Sequence, residues 1–404
     1  MEITSHENVG ENMSTKYPRL YLAIDNCFAY KRWTKPLEWA KLIKSLGINY
    51  IEASADTELD PLYMGPEYLT QWCEEVISVQ KQVGIEVVNL YSGHGTYSTL
   101  GLTHTSPSVR ERMKDQWFKP LIKIASELGA GMGFFAHAFP DFVLEDSTLY
   151  NKYKDVLFDN LVELNNYAHS VGCGKLGIEQ MYAPQHYPWR IKDVRELLKT
   201  VSERSVRDFY FTEDLGHHHN MFLKPEKLGE KLNAYLESLS PSGLWLGVRE
   251  AYELFDQAKG GDDVQPKIEK LIDENPHMFT EHVDCDCYAW LSQLGAYSPI
   301  IHLQQTNGLT SSHWAFTQEF NSRGIITPQK VLKAIKQSYD TPQEENMPQK
   351  VDKIYLTLEI FTPTASINYD TLRSISESAS YWREFIVEDG MTLDEVPAIM
   401  EEIV

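Results

Sequence analysis

The 404-residue sequence predicts an α/β chain: one closed (β/α)8 barrel of parallel strands, with a helical insertion after the sixth. Three observations carry that expectation. Apolar, β-branched runs of strand length alternate with longer stretches of helical period along most of the chain. The alternation makes eight units. Four of the strand-like runs also end on an acid or a histidine, and a closed parallel barrel would bring all such ends to one face.

Taken in order, residues 1–17 form a polar arm, and the first strand lies near LYLAID (20–25). TKPLEWAKLIKSLG then carries helix punctuation, with Thr34 as cap, proline at the start and glycine at the stop. NYIEAS is the second strand, followed by a helix over 66–83 that Gly84 closes. IEVVNLYS is the third, running into the glycine-rich loop SGHGTYSTLG, and Ser106-Pro107 opens a helix to about Leu128. GMGFFAHAF is the fourth, with a helix over 147–171. KLGIEQM is the fifth, with a helix from about Ile191, and DFYFTED is the sixth.

There the rhythm breaks. Residues 220–281 carry helical patterns and no strand, an insertion that the barrel would place on the strand-end face as a lid, a partner surface or plain elaboration. DCDCYAWLSQLG is a short helix, SPIIHLQQ the seventh strand, QSYDTPQEENMPQK a loop, KIYLTLEIF the eighth strand and TLRSISESASYWREFI the closing helix. Residues 18–404 therefore form one domain.

Composition excludes several classes. A 42% hydrophobic and 24% charged chain has ample material for a core. Its net charge of −21 repels phosphate backbones, and no Lys/Arg cluster reverses the field, so nucleic acid is not an expected partner. Five cysteines without a CxxC pair argue against a disulfide framework, and the CxC at Cys285 and Cys287 lacks a second pair for a soft metal. No secretory apolar core opens the chain, and no run approaches the ~18 residues of a membrane span. A cytoplasmic protein follows, and a homo-oligomer fits the general frequency of symmetric assemblies.

The chemistry gathers at four residues: Glu179 in LGIEQMY, Asp214 in FYFTEDLGHHH, His302 in PIIHLQQTNG and Glu359 in IYLTLEIF. Three carboxylates and an imidazole favour an octahedral divalent metal, Mn²⁺ first, with Mg²⁺ or Co²⁺ as alternatives and Zn²⁺ less suited. Such an ion, chelated by a carbonyl and its neighbouring hydroxyl, makes the adjacent C–H removable. Glu179 and Glu359 then serve as a base and an acid on opposite faces. A single strand-end acid more often caps a helix; four together make a site. Glu52, His94, His137, Trp33, Tyr182, Gln304, Gln305 and Asn307 are further candidates for substrate contact, each of which alone also fits core packing or an ordinary hydrogen bond. The HHH run continues through His218 and His219. Asp284 and Asp286 are alternatives to Asp214 should the strand count slip.

These residues resemble the xylose-isomerase-like TIM barrels, which include tagatose and psicose 3-epimerases, sugar-phosphate epimerases and endonuclease-IV relatives. The resemblance runs from about residue 18 to 388, and its most specific piece is DLGH, where Asp214 and His217 reproduce the family's Asp-x-x-His. It implies that Glu179, Asp214, His302 and Glu359 hold one metal, that the two glutamates double as the acid/base pair, and that His217 contacts substrate. Two departures stand out. Where the epimerases carry a further glutamate and an arginine, this sequence has Gln185 and Gly308, so recognition of the substrate differs.

The leading expectation is a metal-dependent epimerase or isomerase of a keto sugar or sugar phosphate, a small-molecule carbohydrate. A lyase on the same barrel, cleaving a C-glycoside or decarboxylating a keto acid, is the alternative. An endonuclease-IV-like hydrolase is disfavoured by the charge. A non-catalytic sugar-binding subunit is the remaining class.

Overall fold

The computed structural model describes residues 16–219, 222–238 and 249–397. Most of the expected N-terminal arm, residues 1–15, lies outside them.

Eight strands form the barrel: β1 (Arg19–Asp25), β2 (Tyr50–Ser54), β3 (Glu86–Ser92), β4 (Gly131–Phe134), β5 (Leu176–Glu179), β6 (Tyr210–Asp214), β7 (Ile300–Leu303) and β8 (Lys353–Leu358). Each pairs in parallel with the next, and β1 pairs with both β2 and β8, which closes the sheet. A two-residue β9 (Met391–Thr392) lies antiparallel on Arg19 and Leu20, covering the part of β1 that β2 does not reach. Closure leaves both faces of each strand covered, which is why their sequences run apolar with little alternation. Outside the sheet, Trp39, Trp72, Trp290 and Trp382 are at most 2% exposed and fill the layer between strands and helices.

The expected helices form, with local differences. The first is Pro36–Ser45, capped at Lys35, whose N–H donates to the Glu38 carboxylate, rather than at Thr34. The second forms where expected, from Pro66, because Gly65, at φ 77° and ψ 167°, breaks the helical path just before it; a separate turn precedes the break, its N–H groups at Leu62 and Tyr63 capped by the Asp60 side chain. The helix stops at Gly84, whose φ of 71° is the left-handed stop that glycine adopts without penalty. The stretch opened by Ser106-Pro107 contains a π-helical turn at Lys114–Phe118 between two α-helical segments. The first residues of QSYDTPQEENMPQK finish the helix Pro328–Asp340 instead of opening a loop.

Between β6 and β7 the described residues contain the helices Leu228–Ser238, Arg249–Lys259 and Gln265–Glu274 and no barrel strand. No described helix is long and apolar enough to cross a membrane.

Candidate active site

Glu179 and Asp214 are the last residues of β5 and β6, His302 lies within β7, and Glu359 follows β8 directly. Because those four strands are consecutive neighbours in the barrel, the four side chains meet, with ligand-type atoms all within 4.8 Å of one another. His302 Nδ1 is the centre of the group. It lies 3.1 Å from Glu179 Oε1, 3.3 Å from Glu359 Oε2 and 3.9 Å from Asp214 Oδ2.

The electrostatics suit a cation. Burial alone would keep His302 neutral, but the charges of Glu359 and Glu52 hold its pKa well above the ordinary imidazole value. Burial would raise Glu359, yet His302 and His313 keep it well below the usual carboxylate range. Burial pushes Asp214 up to about 6, against the pull of His217. Three carboxylates packed out of water need a positive partner, and here a proton on His302 supplies it. The buried Oε2 atom of Glu359 faces His302 and His313 at 3.3 and 3.4 Å, yet neither meets it in hydrogen-bond geometry. An oxygen-rich set with one imidazole and an unsatisfied buried carboxylate oxygen fits a hard divalent ion.

The other half of the barrel holds this group in place. The second nitrogen of His302, Nε2, lies 2.7 Å from Glu52 Oε2, and Asn89 Nδ2 donates to the other Glu52 oxygen. This fixes the ring so that Nδ1 faces the carboxylates, as metal-bound histidines are commonly oriented. Tyr91 Oη donates to Glu179 Oε2. Gln304 Nε2 donates to both Asp214 oxygens at 2.8 and 2.9 Å, and the Gly216 N–H donates to Oδ1. Gly216 is glycine because a Cβ there would overlap the Gln304 amide. His94 bridges two acids, with Nε2 3.4 Å from Asp25 Oδ2 and Nδ1 4.0 Å from Glu359 Oε1. Burial disfavours its charge, but the Asp25 hydrogen bond and the surrounding carboxylates raise its pKa to about 9.

A cavity of about 310 Å³ opens over the group, lined in part by Tyr91, His94, Tyr182, His217, His313 and Phe361 beside Glu179 and Glu359. Of the residues expected to contact substrate, His94, Tyr182 and His217 line it. His217 Nδ1 is tied to the Gln180 carbonyl, 2.9 Å away.

The remaining candidates lie elsewhere, which corrects the expected contacts. Glu52 sits mid-strand behind His302. Gln304 is fully buried and turned onto Asp214. His137 is sealed in the core against the Tyr187 carbonyl, its pKa pushed down to about 4 by burial. Trp33 packs on Phe28, the rings 6.1 Å apart. Gln185 accepts the Phe139 N–H through its backbone carbonyl and is absent from the cavity lining. Gln305 binds Asn321 and the Ile326 carbonyl. Asp284 accepts from the Ile191 N–H and Asp286 caps the helix Cys287–Leu294, so neither replaces Asp214. His218 is buried against Trp290.

Four residues were not singled out from the sequence. Tyr91 looks like an ordinary strand aromatic. Asn89 sits mid-strand, where no pattern marks it. His313 lies well beyond the end of β7 and reaches Glu359 Oε2 at 3.4 Å, its ring stacked on Phe361 at 3.8 Å. Asp25 carried a usable signal, since it ends β1 as Glu179 and Asp214 end their strands.

Residues 40–238 match the family model of the xylose isomerase-like TIM barrel. Over that span, just under half of the chain, the sequence is similar to that family, and the closed eight-stranded parallel barrel agrees with it. A curated relative, the D-erythrulose 1-phosphate 3-epimerase of Brucella abortus (strain 2308), is 30% identical over 104 residues, which is 26% of this chain and 30% of that protein. The matched segment thus spans less than a third of the relative's length. Among solved structures, a candidate xylose isomerase from Rhodospirillum rubrum superposes with a TM-score of 0.65 at 18% identity, covering 90% of this chain and 99% of that one. D-psicose 3-epimerase from Clostridium cellulolyticum H10, solved with D-tagatose, gives 0.54 at 11% identity, covering 90% and 98%. A D-tagatose 3-epimerase-like protein gives 0.52 at 13%, covering 95% and 100%. At these identities the structural likeness speaks to the fold.

Proposed function

We propose that this barrel is a metal-dependent epimerase or isomerase of a keto sugar or its phosphate. The observation that carries the reading is that Glu179 and Glu359 border one cavity, each with a carboxylate oxygen beside the same His302 nitrogen. Glu179, Asp214, His302 and Glu359 would hold the ion, Mn²⁺ being the best match to the donors. When bound, it supplies electrophilic polarisation of a substrate carbonyl.

The protein's own groups handle the proton. Glu359, kept ionised by His302 and His313, is the carboxylate prepared to accept one from the carbon next to the carbonyl. Glu179, with Tyr91 donating to one oxygen, returns a proton from its own side, and the reverse reaction exchanges the two roles. His94 and His217 border the same space and offer ring nitrogens to substrate hydroxyls. The curated relative is by name an epimerase of a ketose phosphate, which agrees with the reaction class.

The test is solvent exchange. Protein loaded with Mn²⁺ and incubated in D₂O with a panel of ketoses and ketose phosphates should place deuterium next to the carbonyl and yield an isomeric product. Absence of exchange across the panel would count against proton transfer, and a product of altered carbon count would move the assignment to the lyase.

A further inference from the structure

A second cavity, of about 370 Å³, lies beside the first, between the loops that follow β7 and β8 and the helix Asn368–Arg383. The two cavities share His313 and Phe361 as a common wall. That wall is a stacked pair, ring centroids 3.8 Å apart and planes within 5°, and Phe361 is 44% exposed. The loops that follow His302 and Glu359 bring His313 and Phe361 to the first cavity and continue into the second.

The lining of the second cavity has a distinctive chemistry. Trp314 and Phe320 stack at 4.9 Å, and the Arg323 guanidinium braces both rings from 4.8 and 5.0 Å. Antiparallel hydrogen bonds between Trp314 and Gln305 fix the backbone that carries the indole. Around this aromatic platform stand the hydroxyls of Thr362 and Ser374 and the carboxylate of Asp370.

Sugar rings present apolar C–H faces edged by hydroxyl groups, a surface that flat aromatic rings and neutral or acidic acceptors match. Anions are served poorly. No lysine or arginine lines either cavity among the described residues, and the nearest guanidinium groups are already engaged: Arg323 on the Trp314 and Phe320 rings, Arg373 on Asp370 at 3.3 Å, and Arg32 on the Pro363 and Ser366 carbonyls. Each cavity alone reaches the size of a small-molecule site, so the pair has room for two linked units.

We propose that the second cavity is a subsite for a neutral sugar ring, joined to the unit that reacts over Glu179 and Glu359. The substrate is then a glycoside of a keto sugar instead of a free ketose or its phosphate. What reacts rests on the function proposed above; the subsite itself rests on the lining.

Binding of non-reacting probes separates the two. Maltose, cellobiose, glucose and glucose 6-phosphate are titrated into the full-length Mn²⁺-loaded protein by calorimetry, alongside the Trp314→Ala, Trp314→Phe and Asp370→Asn variants. At least one disaccharide should bind about tenfold more tightly than glucose, a difference of about 1.4 kcal/mol. Trp314→Ala should remove that advantage, Trp314→Phe should keep part of it, and glucose binding should not change. Asp370→Asn, a change at a half-exposed side chain that leaves the fold intact, should weaken the disaccharide alone. Disaccharides that bind no better than glucose, a preference for glucose 6-phosphate, or full disaccharide binding in both Trp314→Ala and Asp370→Asn would overturn the subsite. Disaccharide binding without deuterium exchange on any ketose or keto glycoside would leave the subsite standing and sink the reaction.

Discussion

The two halves of the barrel do different work. Glu179, Asp214, His302 and Glu359 stand at or beside the ends of β5 to β8, and their polar atoms meet beneath the cavity. Strands β1 to β3 and the loop after β3 contribute Asp25, Glu52, Asn89, Tyr91 and His94, of which only Tyr91 and His94 border that space. Their polar atoms point at the first group: Glu52 at His302, Tyr91 at Glu179, His94 at Glu359. One half presents the four ligand-type groups and the other sets their orientation and charge. The division teaches that a site built from strand ends needs a second ring of residues to stop its carboxylates from repelling one another apart.

The largest effect should come from the ligand-bearing half. Glu359→Gln and Glu179→Gln keep side-chain size and remove the proton acceptor, so the exchange rate should fall by about 10²–10⁴-fold. Circular dichroism should stay unchanged. If either variant exchanges deuterium at the wild-type rate, that glutamate is not part of the proton path.

The supporting half should act through the metal. Glu52→Gln leaves the cavity lining intact and weakens the partner that orients His302, so metal affinity should drop by about 10–100-fold while the bound form retains most of its turnover. Competition with a chelator measures it. An unchanged affinity would erase the distinction between the halves, and a turnover loss as large as that of Glu359→Gln would place Glu52 among the reacting groups.

The same contrast governs what was legible in the amino-acid order. Barrel periodicity, the eight units and the break after β6 are local patterns, and they survive into the structure, with the start of the first helix shifted to a cap at Lys35. Glu179, Asp214, His302 and Glu359 stand out because each interrupts or ends an apolar run, and a parallel barrel brings run ends together whatever the loops do. Glu52 and Asn89 lie mid-strand, so their meeting with His302 depends on register across the barrel, which no single segment encodes. Tyr91 could not be told from a packing aromatic. His313 reaches Glu359 only because Gln305 and Trp314 pair to fold the loop back, and its φ of 46° is a conformation no local pattern announces. Trp33 and His137 show the converse: aromatic residues near strand ends that packing claimed.

The smallest effect sharpens the comparison through pH. His94 in the folded protein titrates near 9, above the ordinary value of about 6.5, so the native state binds its proton more tightly than the unfolded chain does. Its stabilising contribution is therefore complete below about pH 6.5 and is lost as pH rises through 9. Asp25 is the largest cause of that rise, through its hydrogen bond and its charge, and Glu359 and Asp56 add to it. Asp25→Asn keeps a side-chain acceptor for the Cys27 N–H and removes the charge that faces His94. Metal-free wild type should thus exceed Asp25→Asn by about 1 kcal/mol at pH 6, with the gap closing by pH 10. Urea unfolding at several pH values measures the gap. The pKa of His302 is also raised, by the charges of Glu359 and Glu52, but it is so in both proteins, so the difference between them isolates the Asp25–His94 pair. A gap that stays constant with pH would mean that Asp25 contributes through its turn at Cys27 alone, and that His94 owes its charge to the ligand-bearing half.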